Sequence, residues 1–353
     1  MILEPTSPQI RRLEQLLSAA SRVCIVVHTR PDGDAVGSGA ALLGYLRSVR
    51  GLSACLLVPD SVPDSLDFLV PAEGMLTASR EAGAARGQIA ACDLLCCLDM
   101  SGFGRAEGLE DALRACTAPK LLIDHHLRPE AEAFDLVFSE TQVSSTCELL
   151  YQILLALEGT DTAAGLPLPV LDSLMAGMTT DTNNFANSVF PSTLRMASDL
   201  LASGVDRDAL LDALYSRYRE NRFRAMGCYL SELLHITPDG VAYAILDRRT
   251  AARFALQEGD TEGFVNLPLG IGDVRMSVFL REEEGRFRVS VRSKPGTSAN
   301  RLAAAYFHGG GHECAAGGKL FFPQDIAAPE DAAAYIETMT ARFMRTSVPS
   351  QDE

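Results

Sequence analysis

The stretch "RVCIVVHTRPDGDAVGSGAALLGYLRSV", Arg22–Val49, reads as a strand, a turn and a helix in succession. Arg22–His28 is an apolar run of strand length, rich in valine and isoleucine. A Pro/Gly turn breaks it, and "GSGAALLGYLRSV" continues as a helix. The same alternation returns downstream. Ser53–Pro59, Asp93–Met100 ("DLLCCLDM") and Lys120–His126 ("KLLIDHH") read as further strands, the last two preceded by Ala-rich or polar helical sequence. Such alternation predicts a parallel sheet with helices on both faces. Helices are expected over Ser144–Glu158, with Ser144, Ser145 and Thr146 able to cap it, and near Pro169–Met178.

From about Asp206 to Leu234 the sequence is charged and helical, as a connector between domains would be. Beyond it the pattern changes. "VAYAILDRR", "VRMSVFLRE" and "RFRVSVRS" alternate apolar and polar residues, as half-solvated antiparallel strands do. "SANRLAAAYF" predicts a short amphipathic helix, "KLFF" a brief strand and Pro329–Arg345 a closing helix. The expected fold class is therefore α/β. A parallel-sheet domain (1–205) is joined by a helical linker (206–234) to a smaller α/β domain (235–345) with a mixed or antiparallel sheet, and a frayed tail follows (346–353). A chain of 353 residues is long for one core, which agrees with two domains.

The formal net charge of −15 argues against a surface that coats duplex nucleic acid. A small phosphorylated substrate in a local pocket remains compatible, because metals can supply positive charge there. The nine cysteines include no CxxC pair, which points to free thiols in a reducing compartment. The first residues lack the apolar core of a secretory signal, and no run reaches the length of a membrane span. A cytoplasmic location is expected. A homodimer is compatible with the sequence, though no residue argues for it.

Four clusters of Asp and His follow the apolar or helical runs of the first domain. They are His28, Asp32 and Asp34 in "HTRPDGDAVGS", Asp99 in "LDMSG", Asp124, His125 and His126 in "IDHH", and Asp181 in "TTDTNNF". Taken singly, each aspartate has a commoner role as a cap or turn residue. Taken together, the first three clusters would meet at one edge of a parallel sheet, where α/β proteins place ligands. Crowded carboxylates must protonate or find cations. Carboxylate mixed with imidazole suits Mn²⁺, Fe²⁺, Co²⁺ or Zn²⁺. Four aspartates balance two divalent ions, the arrangement that clamps both oxygens of a phosphoryl displacement.

These four motifs resemble those of the DHH phosphoesterases, and "GGGHECAAGG" (Gly309–Gly318) resembles the glycine-rich signature of the DHHA1 domain that follows in one branch. The resemblance covers nearly the whole chain. Its layout is most similar to stand-alone oligoribonucleases that trim very short RNA, some of which dephosphorylate pAp or hydrolyse cyclic di-AMP and its linear product pApA. It implies two metal ions, expected to be Mn²⁺, one held by His28, Asp32 and Asp99, the other by Asp34, Asp99, His125 and Asp181, with Asp99 bridging. It implies that His126 lies beside the scissile phosphate, that Asp124 fixes a neighbouring histidine or backbone, and that the two metals activate a shared water. Gly33, after Asp32, departs from the family pattern without touching a ligand. Phe185 is read as core.

In the second domain the resemblance places Arg292, Ser293, Asn300 and the loop Gly309, Gly310, Gly311 and His312 at the substrate. The glycines would let backbone N–H groups cradle a phosphate, and Arg292 could grip one with two hydrogen bonds. Arg275, Arg281, Arg286 and Arg288 cluster nearby, and alternation along strands would turn some of them to solvent. His308 is expected to be exposed. The expected activity is manganese-dependent hydrolysis of short oligoribonucleotides or dinucleotides to mononucleotides, with pAp as a further substrate. Rival readings are a cyclic di-AMP phosphodiesterase and a catalytically silent nucleotide-binding regulator.

Overall fold

The computed structural model describes residues 6–257 and 259–347. The chain divides into two compact units, Met1–Arg217 and Tyr218–Glu353. The division falls inside the segment expected to connect two domains. The first half of that segment joins the core of the first unit through Leu210 and Leu214, and the second half joins the second unit through Ala225 and Tyr229.

The first unit is built on six strands, β1 (Arg22–Val26), β2 (Ser53–Val58), β3 (Met75–Thr77), β4 (Leu94–Leu98), β5 (Lys120–Asp124) and β6 (Leu136–Ser139). All neighbouring pairs are parallel, in the order β3-β2-β1-β4-β5-β6. Both faces are covered, so the strands read as continuous apolar runs rather than alternating ones. Ile25, Leu56 and Cys96 face one core, while Cys24, Leu57 and Cys97 face the other. The helices are α1 (Pro8–Ala19), α2 (Gly33–Ser48), α3 (Ala82–Ala91), α4 (Glu110–Ala115), α5 (Thr146–Glu158), α6 (Leu168–Asp181), α7 (Pro191–Ala202) and α8 (Arg207–Tyr215). Strand order reverses between β1 and β4, which opens a crevice beyond their carboxyl ends.

Helices α2 and α6 run antiparallel in close contact. A Cβ at Gly37 would lie 2.6 Å from the Ser173 carbonyl oxygen, and one at Gly177 would lie 3.0 Å from Asp34 Oδ1. The absence of side chains at these points lets the amino end of α2 meet the carboxyl end of α6.

The second unit carries a six-stranded sheet made of β7 (His235–Ile236), β8 (Val241–Leu246), β9 (Met276–Glu283), β10 (Arg286–Ser293), β11 (Gly310–Gly311) and β12 (Ala315–Phe321), in the order β11-β12-β10-β9-β8-β7. The sheet is mixed. β9 and β10 form an antiparallel hairpin, but β8 pairs with β9 in parallel, so the antiparallel reading of these three strands holds for only one of the two pairs. Residues 247–275 connect β8 to β9 and contain α10 (Arg248–Arg253), which gives the length a parallel crossover needs. Along β10, Phe287, Val289 and Val291 point into a core shared with α11 (Ala299–Tyr306) and α12 (Ala332–Ser347). On the opposite face Phe279 packs against Tyr229, just after α9 (Glu220–Cys228), and against Phe264. The expected brief strand at "KLFF" begins earlier, at Ala315. Thr346 and Ser347 continue α12 instead of fraying, and 348–353 lie outside the described residues.

Candidate metal centre and substrate loop

Sheet topology gathers the first-unit clusters. His28 lies two residues past β1, Asp99 directly follows β4, Asp124 ends β5, and His125 and His126 follow it. Asp32 caps α2, its Oδ1 accepting from the N–H groups of Asp34 and Ala35 at 3.1 Å. The capping role and membership of the cluster thus coincide in one side chain. Asp181 is the last residue of α6, not beyond its end as the sequence pattern suggests. A carboxylate at the negative end of a helix is unfavourable by itself.

Asp99 is the hub. His28 Nε2 lies 3.4 Å from Asp99 Oδ2 and 3.7 Å from Asp32 Oδ1. On the other side, His125 Nε2 lies 3.6 Å from Asp99 Oδ1, 3.4 Å from Asp181 Oδ2 and 3.9 Å from Asp34 Oδ2. His28, Asp32 and Asp99 form one group of ligand-type atoms within 4.8 Å of one another, and Asp34, Asp99 and His125 form a second. Asp34, Asp99, His28 and His125 are buried, while Asp32 is exposed. Asp99 has φ of 56°, an unusual value for a residue with a side chain. Such strain collects at functional sites.

The residues fit cations. His28 donates from Nδ1 to the Thr29 carbonyl at 2.9 Å, which aims Nε2 at the carboxylates. That Nε2 is buried and has no hydrogen-bond partner. Burial and the facing Asp99 and Asp32 carboxylates push the Asp34 pKa well above the ordinary range. Burial opposes charge on His28, but Asp32 and Asp99 outweigh it and raise its pKa to about 10.

His126 is held separately. Its Nδ1 is 2.8 Å from Asp124 Oδ1, and its backbone N–H donates to Asp124 Oδ2 at 3.2 Å. Asp124 is fully buried and fixes the ring. Burial lowers the His126 pKa, but the bond to Asp124 and the charge of Asp99 reverse the shift and raise it.

Sequence reasoning treated Ser144–Thr146 only as a cap. Ser145 does cap α5. Thr146 does more, donating from N–H to Asp34 Oδ2 at 2.7 Å and from its hydroxyl to Asp99 Oδ1 at 3.0 Å. The Cys147 N–H reaches Asp34 Oδ1 at 2.9 Å. A helix amino end therefore grips Asp34. Beneath it, buried Glu148 accepts from the Ser144 N–H, the Ser144 hydroxyl and the Thr193 hydroxyl at 2.6–2.9 Å. A Glu three residues past a Ser signals the cap itself, not the contacts to Asp34 and Asp99. Phe185 packs at the edge of the first core, as expected.

In the second unit, the loop after α11 folds back as β11 against β12. Gly309 N–H donates to Ala303 O at 3.2 Å, Gly311 N–H to Asn300 Oδ1 at 3.0 Å, and His312 N–H to Ala315 O at 2.7 Å. These three N–H groups are engaged within the protein. A Cβ at Gly309 would collide with the Gly317 carbonyl, so close backbone approach accounts for that glycine. Asn300 holds the loop. Ser293 is buried and donates to Thr297 O. Arg292 is half-buried, with Nη1 3.0 Å from its neighbour's carbonyl, Val291 O. His308 is largely exposed and bonded to Asp325 at 2.9 Å.

A parallel sheet whose switch point gathers aspartates and histidines into two cation-ready groups around one shared aspartate defines a metal-dependent phosphoesterase. The chain belongs to the DHH family. Residues 22–178 match the DHH family, N-terminal domain, and residues 239–338 match the DHHA1 domain. Among its relatives, the bifunctional oligoribonuclease and PAP phosphatase NrnA of Thermus thermophilus is 31% identical over 87% of this chain and 86% of that protein. The Bacillus subtilis protein of the same name is 27% identical over 88% of this chain and 92% of its own length. The crystal structure of an exopolyphosphatase-related protein from Bacteroides fragilis matches with a TM-score of 0.88 and 32% identity, covering 96% of this chain and 97% of that one.

Proposed function

We propose that this chain hydrolyses phosphate esters of short nucleotides, cutting oligoribonucleotides of a few residues and pApA to mononucleotides and converting pAp to AMP, with two Mn²⁺ ions. The observation that carries the reading is the sharing of Asp99 between two ligand groups, one of which contains the buried Nε2 of His28, which makes no hydrogen bond and faces the carboxylates of Asp99 and Asp32. The names of the Thermus and Bacillus relatives support the substrate class. The nine free cysteines support a reducing, cytoplasmic setting.

In this reading His28, Asp32 and Asp99 hold one ion, and Asp34, Asp99, His125 and Asp181 hold the other. When bound, the ions neutralise the crowded carboxylates and supply positive charge to a phosphoryl oxygen and to the attacking water. Asp124 keeps the His126 ring in one orientation, ready to donate to a phosphate oxygen as negative charge develops. Thr146 and the amino end of α5 hold Asp34 and Asp99 in place. Arg292 binds a substrate phosphate, and Asn300 shapes the loop that carries His312.

The test is a product assay with Mn²⁺ against pAp, pApA, cyclic di-AMP and RNAs of 2, 5 and 24 nucleotides. Mononucleotide release from the short substrates, weak action on the 24-mer and none by Asp99→Ala is the expected result. Tight binding of dinucleotides without release of product would favour a regulator, and equal rates on the 24-mer would remove the length preference.

A further inference from the structure

The core that holds Cys24, Leu57 and Cys97 collects thiols that the metal centre does not use. Cys24 on β1 is the register partner of Cys55 on β2, and both pack there with Cys92 and Cys116. Cys92 directly follows α3, and Cys116 directly follows α4. Because β4 and β5 are parallel neighbours, the two helices deliver these cysteines side by side at the amino edge of the sheet. Their sulfurs are 3.9 Å apart. Both lie near one acceptor, the Ile89 carbonyl oxygen, 3.2 Å from Cys92 Sγ and 3.5 Å from Cys116 Sγ. Among the described residues, no group of three or more ligand-type atoms within 4.8 Å of one another includes a cysteine, so the arrangement is a pair of thiols and not a metal cage.

The two partners differ in access. Cys92 is half-buried and, with Cys55, Arg22, Arg47 and Gln88, lines a surface cavity of about 260 Å³. That is ample for a small hydroperoxide, since a water takes about 30 Å³ of liquid volume. Cys116 is buried and does not line the cavity. Hydrogen bonds offered by Cys24 and Cys116 outweigh burial and lower the Cys92 thiol to about 7, whereas burial raises that of Cys116. An accessible thiolate beside a protonated thiol is the combination that a peroxide-reactive pair requires. The sulfurs must close from 3.9 Å to a bond of about 2.0 Å, a movement shared by two side chains that each sit at a helix end.

We propose that Cys92 and Cys116 form a peroxide-oxidisable thiol pair, in which Cys92 reacts first and Cys116 resolves it as an intramolecular disulfide. The Cys92 thiolate attacks one oxygen of a hydroperoxide. The O–O bond breaks, the peroxide leaves as water or an alcohol, and Cys92 becomes a sulfenic acid, oxidised by two electrons. The Cys116 sulfur then attacks the Cys92 sulfur. The S–O bond breaks, an S–S bond forms, and hydroxide leaves with the Cys116 proton as water. In sum, two thiols and one hydroperoxide give one disulfide, one water and a second water or an alcohol. In a reducing compartment such a bond is transient, and small thiols reverse it. The pair lies at the amino ends of β4 and β5, whereas Asp99 and Asp124 lie at their carboxyl ends. The site is therefore separate from the metal centre and stands independently of the hydrolytic reading.

The test uses the full-length protein, reduced and then freed of reductant. Hydrogen peroxide is the probe, iodoacetamide quenches at timed intervals, and tandem mass spectrometry of the digest reads each cysteine. The expected result is a Cys92–Cys116 disulfide that dithiothreitol reverses. Cys92 should lose its free thiol at least about tenfold faster than the half-buried Cys314 of the second unit. Cys116→Ser should leave Cys92 as a sulfenic acid that dimedone captures, with no disulfide formed. Cys92→Ser should protect Cys116 from oxidation. A thermal melt matching the parent shows that each variant is folded, and the comparison with Cys314 needs no variant. Oxidation of Cys92 no faster than that of Cys314 would overturn the proposal, and so would a disulfide from Cys92 to Cys24 or Cys55.

Discussion

Thr146 shows how much of a metal site lies outside its ligands. Its hydroxyl and N–H hold Asp99, which both groups share, and Asp34, which belongs to one of them. Thr146→Val keeps the shape and the N–H but removes the hydroxyl. Removing such a supporting hydrogen bond typically costs 10–100-fold in metal affinity, so we expect Mn²⁺ to bind at least about tenfold more weakly, as read by calorimetry. Protons and cations compete for the same side chains. Asp34 has a raised pKa and His28 one of about 10, so both release protons when cations bind. Mn²⁺ affinity should therefore strengthen as pH rises from 6 to 8, with net proton release visible as a dependence of binding heat on buffer ionisation enthalpy. A pH-independent affinity would contradict this.

Helices α2 and α6 are the elements that bring Asp34 and Asp181 together, and their contact depends on glycine. At Gly37 a Cβ would press on the backbone oxygen of Ser173, 2.6 Å away, which cannot rotate aside. Gly37→Ala should destabilise the first unit by about 1–3 kcal/mol, measured by urea unfolding. The same elements mark what was legible in sequence. Strands β1, β2, β4 and β5 were plain because long apolar runs ended in polar turns. Strands β3 and β6 were not, being short edge strands: no residue of β3 is fully buried, and in β6 only Leu136 and Phe138 are. The clustering of His28, Asp99 and His125 followed from parallel topology alone. The grip of α5 on Asp34 could not be foreseen, because a Ser/Thr cap looks the same whether or not it faces a carboxylate from another helix. In the second unit, alternation gave the faces of β10 correctly, but it is silent on whether β8 runs parallel or antiparallel to β9. The glycine loop is ambiguous for a related reason. Glycine permits both anion binding and close backbone packing, and here the N–H groups of Gly309, Gly311 and His312 are taken up by the protein's own acceptors.

For the whole molecule, the centre ties together residues from α2, α6 and the ends of β1, β4 and β5, which are far apart in the chain. Ligands that bind only the folded state stabilise it, by about 2.7 kcal/mol at a hundredfold excess over Kd. Adding EDTA should therefore lower the melting temperature of the Mn²⁺-loaded protein, with recovery on restoring Mn²⁺. The central claim is that one aspartate, Asp99, is shared by two cation sites. Its left-handed backbone conformation tolerates asparagine, so Asp99→Asn alters the charge while leaving the fold in place. The most direct measurement is Mn²⁺ stoichiometry by calorimetry and elemental analysis on the parent and on Asp99→Asn. Two ions per chain in the parent, with both sites weakened in the variant, is the predicted result. A parent that binds fewer than two ions at saturation, or a variant that binds both with undiminished affinity, would contradict the account.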